Sequence, residues 1–347
     1  MLAAALRRGR NASRSLLRGS AHAQVAPAWP RELRSAQRDA RGYRHFDDGG
    51  GWRNFRPTGA QLRVAGACAG ACGVVYVANL EPVPVTGRRH LVLCSLAQER
   101  ALGEQAAAAV RAQYGNAVLP AFAPASRRVA RVGARLVEAL REDDRTRRLP
   151  HLTSAKWSFT VIADDAQVNA FVVPGGHAFV FTGLLKLFPE DDALAMVLAH
   201  EAAHVVARHS AEKVSHAMVG TLLKVGIALL TGVQGPGDAI VDLGMSLPFS
   251  RRAELEADAI GIQIMARACF DPAAAPLVFQ RLGKLHQHTA PPAWLSTHPA
   301  DKERVKALRG AASEATKAYV TAGCDDAHDA LGAAGFASTR SSRGEWH

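Results

Sequence analysis

The sequence predicts an α+β fold: a mostly helical domain with a small β-sheet, preceded by one transmembrane helix. Three observations lead there. Several long segments carry apolar residues at helical spacing, three short strand-type runs cluster between Trp157 and Thr182, and a single apolar run extends from Leu62 to Leu80.

Leu96 to Tyr114 and Ser126 to Glu142 are rich in Ala, Leu, Arg and Glu, the residues that lose least in a helix. Asp191 to Val206 opens with acidic residues, which suit a helix N-terminus, and then supplies an apolar face from Leu194, Met196, Val197, Leu198, Val205 and Val206. Pro276 to Leu285 and Pro299 to Val320 continue the helical pattern. Trp157 to Ala163, Val168 to Val173 and Ala178 to Thr182 read as strands, with Pro174-Gly175-Gly176 turning the chain between the last two. From about Thr321 the chain becomes polar and rich in small residues, so 321–347 reads as a flexible tail.

The run from Leu62 to Leu80 is broken only near its ends, by Arg63 and Asn79, and is just long enough to span a bilayer as a helix. Its Ala and Gly content keeps the hydrophobicity modest. A second apolar stretch, Met218 to Leu247, is interrupted by Lys224, Asp238 and Asp242 and broken at Gln234-Gly235-Pro236-Gly237. It reads as two helices that pack over a neighbouring site or lie on a bilayer surface, or as a helical hairpin in the core.

The formal charge of +11 is mostly N-terminal: residues 1–60 hold twelve Arg, no Lys and four acidic residues, which leaves +3 for the other 287. Nucleic acid is therefore not an expected partner of the globular part. Residues 1–31 contain no Asp or Glu, while Arg7, Arg8, Arg10, Arg14 and Arg18 alternate with Leu, Ala and Ser. That is the composition of a mitochondrial transit peptide, assigned to 1–45, with 46–61 as linker. Five cysteines at irregular spacing argue for free thiols and against a cysteine metal site.

The chemistry is concentrated in His200-Glu201-Ala202-Ala203-His204. Residues four apart share a helical face, so His200 and His204 can point two imidazoles at one ion, and Glu201, about 100° away, can reach a water beside it. This is a two-histidine zinc arrangement with a glutamate as general base. A third ligand is expected from Arg251 to Ala259, where Glu254 and Asp258 share a face and Glu256, about 200° from Glu254, does not. Glu254 is the expected ligand, and Asp258 the residue that hydrogen-bonds a ligand imidazole. One zinc ion per chain follows. His209 falls about 180° and His216 about 160° from His200 if the helix continues, so both are expected at the surface or in packing. His177 reads as a strand residue. His298 precedes a helix opened by Pro299 with Asp301 and Glu303 in its first turn, the position of a local cap.

Taken in order, these motifs resemble the Ste/HtpX-type zinc endopeptidases, which are gluzincins. The likeness rests on His200 to His204, Arg208-His209, Ser250-Arg251-Arg252 with Glu254 and Asp258, and Thr297-His298-Pro299 with Arg304. Upstream, Asn169 to His177 followed by Thr182-Gly183-Leu184-Leu185 also matches. The resemblance spans about Pro84 to Leu308 and implies a zincin-type peptidase domain over 84–312. It also implies that His298 and Arg304 face the zinc cleft. His298 is then either an oxyanion donor or an occupant of zinc's open position in a resting state. By analogy with other zinc proteases, substrate pairs with a sheet edge at Asn169, Ala170 and Phe171, beside Gly175 and Gly176.

Within the family, the likeness to mitochondrial inner-membrane members implies protein substrates in or at that membrane, cleaved in processing and quality control. It also implies contact with the lipid bilayer and is compatible with a homo-oligomer. The basic N-terminal side would face the matrix and the peptidase domain the intermembrane space. An intact Glu201 argues against a metal-binding scaffold without catalysis.

Overall fold

A computed structural model describes residues 58–231, 237–286, 292–299 and 302–324 of the chain. The expected transit segment, most of the linker and the tail beyond 324 lie outside the described residues. Helix α1 (Gly59–Ala78) leads into a two-stranded antiparallel hairpin, β1 (Leu80–Pro82) and β2 (Arg89–Leu91). Helices α2 (Leu96–Tyr114) and α3 (Pro124–Glu142) and the short α4 (Pro150–Thr153) follow. Ser95 opens α2 with a capping box: its hydroxyl accepts from the Gln98 N–H, and the Gln98 side chain accepts from the Ser95 N–H.

Strands β3 (Ser158–Ile162), β4 (Ala170–Val173) and β5 (His177–Phe181) form a sheet in the order β3-β5-β4. β5 lies parallel to β3 and antiparallel to β4, with Phe171 opposite Phe179. Each strand lies within the bounds the sequence suggests, extended by one residue at His177. Between β4 and β5 the chain turns through Gly175 and Gly176, at φ +92° and +91°, conformations that favour glycine. Every residue of β5 is buried, as a central strand requires.

Helix α5 (Thr182–Leu187) leads to α6 (Asp191–Val206), which coincides with the helix expected from its acidic start and apolar face. Almost all of α6 is buried, so it is the axis of the core. It packs against β4, α3 and α4, and against α7 (His209–Thr231), α8 (Gly237–Arg267) and α9 (Ala274–His286). The short α10 (Ala293–Thr297) and the long α11 (Lys302–Thr321) complete the domain, α11 lying on α8 and α9. The second apolar stretch falls on α7 and the first part of α8, and residues 232–236 between them lie outside the described residues.

Two expectations are corrected here. In place of a spanning segment over Leu62 to Leu80 the chain has α1. Among the described residues no helix is long and apolar enough to cross a membrane. The cause is composition: half of α1 is Ala or Gly, and Gln61 and Arg63 lie in its first two turns. The cysteines are not all free, because Cys269, just past α8, is bonded to Cys324, just past α11. A separation of 55 residues leaves no local trace, and the pairing exists because α8 and α11 pack together. Cys324 is fully buried, so the chain stays docked beyond Thr321, where fraying was expected.

Closing a loop of 55 residues removes enough unfolded-state entropy to stabilise the fold by about 4 kcal/mol. Cys324→Ser should lower the denaturation midpoint accordingly, with an unchanged far-ultraviolet spectrum below it. A variant as stable as the wild type under oxidising conditions would show that the bridge contributes nothing.

Candidate metal centre

Helix α8 crosses α6 closely because Gly261 faces it: a Cβ there would lie 3.0 Å from both the N and the Cα of His200. Gly261 lies seven residues from Glu254 and three from Asp258, so all three share the face of α8 that meets α6. This contact brings Glu254 and Asp258 to His200 and His204.

The imidazoles of His200 and His204 approach through Nε2 at 3.2 Å. Glu254 Oε2 lies 3.4 Å from His200 Nε2, and Glu254 Oε1 lies 3.6 Å from His204 Nε2. His298, at the C-terminal end of α10, adds Nδ1 at 3.2 Å from His200 Nε2 and 2.9 Å from Glu254 Oε2. One ligand atom from each of His200, His204, Glu254 and His298 lies within 4.8 Å of the others. Bond lengths of about 2.0–2.1 Å to a tetrahedral ion place neighbouring ligand atoms about 3.3 Å apart, and the contacts of 2.9–3.6 Å among these atoms lie on either side of that value.

The charge balance points the same way. Burial would lower the His200 imidazolium's pKa, but the hydrogen bonds it donates to Asp258 and Glu254 outweigh it and raise it to about 9, so the pocket favours a positive charge. Burial would raise Glu254, yet His200 and His298 hold its carboxyl well below the usual range. Burial and the neighbouring His200 and His209 push His204 well below its ordinary value, which keeps its lone pair available. These residues fit a divalent ion.

Around the four ligand atoms the sequence is read unevenly. Asp258 Oδ1 meets His200 Nδ1 at 3.0 Å, as its helical register suggested. Glu201 lies outside the ligand set, buried, with its carboxylate accepting from Trp294 Nε1 at 3.0 Å and lying 3.4 Å from His298 Nε2. Trp294, fully buried, stacks on His298, and its backbone N–H donates to Val168 O just before β4. Its place four residues ahead of His298 offered no signal of this role.

Arg304 faces the centre but is committed. It donates from Nε and Nη2 to the two oxygens of Asp258 at 2.7 and 2.8 Å, and from Nη1 to Pro299 O at 2.9 Å. Nη1 is also 3.0 Å from Glu254 Oε2.

The expectation for His209 is overturned. It is 5% exposed and its Nδ1 lies 2.8 Å from His204 Nδ1. The helical angle fails because α6 stops at Val206 and Arg208 takes φ +53°, which returns His209 toward the site as the first residue of α7. That strained Arg208 is held by Glu99, Glu81 and the Cys94 carbonyl. His177 is the first residue of β5 and meets Ser158 and Glu104, apart from the centre.

The expected substrate strand, β4, is an edge strand packed against α6. Ala170 is in the core, and Phe171 stacks on Phe179. The carbonyls of Gly175 and Gly176 accept from Lys156 and Ser158, and that of Asn169 from Phe181. What β4 can offer an extended peptide is its outer backbone edge.

Comparison with known proteins agrees with this geometry. Residues 126–312 match the model of Peptidase family M48. The mitochondrial metalloendopeptidase OMA1 of Schizosaccharomyces pombe is 35% identical over 278 residues, which are 79% of this chain and 79% of that protein. The Saccharomyces cerevisiae protein of the same name is 33% identical over 74% of this chain and 75% of its own length. A beta-barrel assembly-enhancing protease of Yersinia pestis is 32% identical over 48% of this chain and 36% of its own. With the α6 histidines and the α8 glutamate inside the matched region, this chain belongs to peptidase family M48.

Proposed function

We propose that this metalloendopeptidase works with one zinc ion held by His200, His204 and Glu254, and cleaves proteins at the mitochondrial inner membrane. The observation that carries the function is the convergence of those ligand atoms with His298, within 4.8 Å, beside the buried carboxylate of Glu201. Zinc bound there supplies Lewis acidity, which polarises a peptide carbonyl and acidifies water.

The chain's own residues do the rest. Glu201 accepts a proton as a water oxygen attacks the scissile carbonyl carbon, and then delivers that proton to the leaving amine nitrogen as the C–N bond breaks. Trp294 N–H fixes the Glu201 carboxylate during both transfers. Asp258 orients His200, and Arg304 neutralises Asp258 and Glu254, which makes it a positioning residue here in place of an oxyanion donor. A substrate strand adds to the outer edge of β4, beside α6.

The test is purified protein assayed for zinc and for cleavage of a panel of inner-membrane proteins, with chelation and zinc restoration. Zinc-loaded protein that cleaves no peptide bond, or full activity in chelator, would refute it.

His298 is assigned to the resting state. Its Nδ1 stands among the ligand atoms, 3.2 Å from His200 Nε2, so with zinc bound it would compete with substrate for the metal. His298→Ala should retain zinc on three ligands and raise basal peptide hydrolysis several-fold. A large loss of turnover with zinc retained would make it a catalytic donor instead.

The mitochondrial relatives and the acid-free, Arg-rich first 31 residues support a mitochondrial address. Helix α1 supports attachment to a membrane: Leu62, Val64, Val74, Val75, Tyr76 and Val77 are all exposed, an apolar surface suited to lipid. Carbonate extraction of imported protein should leave it in the membrane pellet. Release to the supernatant would remove the anchor and leave the peptidase untouched.

A further inference from the structure

The two α6 histidines are oriented by different means. His200 Nδ1 meets a carboxylate directly, at Asp258. His204 Nδ1 meets a second imidazole, His209 Nδ1, at 2.8 Å. His209 Nε2 in turn lies 3.1 Å from Glu256 Oε2. Glu256 also accepts from Arg88 Nε at 2.8 Å and from the Thr86 hydroxyl, both on the hairpin between β1 and β2 that follows α1. Arg88 is anchored there by two 2.7 Å hydrogen bonds to Glu212, which takes a further contact from His90. His209, Glu256 and Glu212 are all buried.

Only one arrangement of protons satisfies this chain when both imidazoles are neutral. Glu256 is surrounded by donors, so it is an acceptor and His209 Nε2 carries the hydrogen. His209 Nδ1 is then a lone pair, and His204 Nδ1 must donate to it. The remaining lone pair of His204 sits on Nε2, which faces His200 and Glu254. The reverse order would set His209's unprotonated Nε2 against a carboxylate and turn an N–H of His204 into the ligand cluster.

We infer that His209 and Glu256, held from the hairpin by Arg88 and Thr86, are positioning residues that fix the tautomer and ring plane of His204. This rests on His204 being a ligand. Partners of this kind typically govern about 10–100-fold in metal affinity. They also tie a ligand on α6 to a hairpin that begins two residues after α1.

The test uses the full-length protein, zinc titrated against a competing chelator, and the visible absorption of the cobalt(II)-substituted form. His209→Leu should weaken zinc about 10–100-fold and shift the cobalt bands. His209→Asn, whose Oδ1 stands near the place of Nδ1 as an acceptor, should recover most of the affinity. Glu256→Gln should fall between, and serves if His209→Leu does not fold. Wild-type affinity and cobalt bands in folded His209→Leu or Glu256→Gln, while His204→Ala loses the metal, would overturn this inference alone. Wild-type affinity in His204→Ala would overturn the ligand assignment beneath it.

Discussion

Glu201→Gln should keep the metal and lose peptide hydrolysis by about 10²–10⁴-fold, the range associated with removing a positioned general base. The substitution is nearly isosteric, and the amide oxygen can still accept from Trp294 Nε1, now 3.0 Å from the carboxylate. Glu201 meets Trp294 and His298, so its replacement leaves the three proposed zinc ligands, His200, His204 and Glu254, with their own contacts. Metal analysis and turnover therefore separate cleanly. The decisive measurement is kcat on a cleaved inner-membrane substrate with one zinc per chain verified in both proteins. Turnover within a few-fold of wild type in a zinc-loaded variant would sink the general-base role, and loss of zinc would place Glu201 in the support of the ligand set.

What was legible in the sequence is what local periodicity records. The bounds of α6, the three strands and the glycine turn before β5 all follow from short-range pattern, and the fold has them with shifts of a residue or two. Helical register likewise separates Glu254 and Asp258, which face α6, from Glu256, which meets His209. What register cannot show is where a helix stops without a glycine or proline. Nothing in Ala207-Arg208-His209 announces the break that turns His209 back toward His204, because Arg208 holds φ +53° through partners far away in sequence, Glu81 and Glu99. The Cys269–Cys324 bridge, Trp294 against Glu201, and the hairpin's grip on Glu256 are non-local in the same sense. Each depends on helices that meet only in the folded chain.

Arg304→Met should destabilise the protein by about 3–5 kcal/mol when it carries no metal, a fall of roughly 10 °C in Tm. The guanidinium is 1% exposed, lies over the Phe279 ring at 4.5 Å, and bridges Asp258 and Glu254. A methionine fills much of the same apolar channel, so the loss is chiefly electrostatic: two buried carboxylates lose a shared cation. Burial would raise the Asp258 pKa, while Arg304 and His200 hold it down, so without Arg304 its proton affinity rises and its hold on His200 weakens. Zinc should restore part of the lost stability, since a divalent ion beside Glu254 replaces one of the missing interactions but leaves Asp258 without its bidentate partner. An oxyanion donor would behave differently, costing turnover with little change in metal-free stability. Differential scanning of the variant with and without zinc, set beside its kcat, decides between them: an unchanged metal-free Tm together with lost turnover would return Arg304 to the reacting atoms.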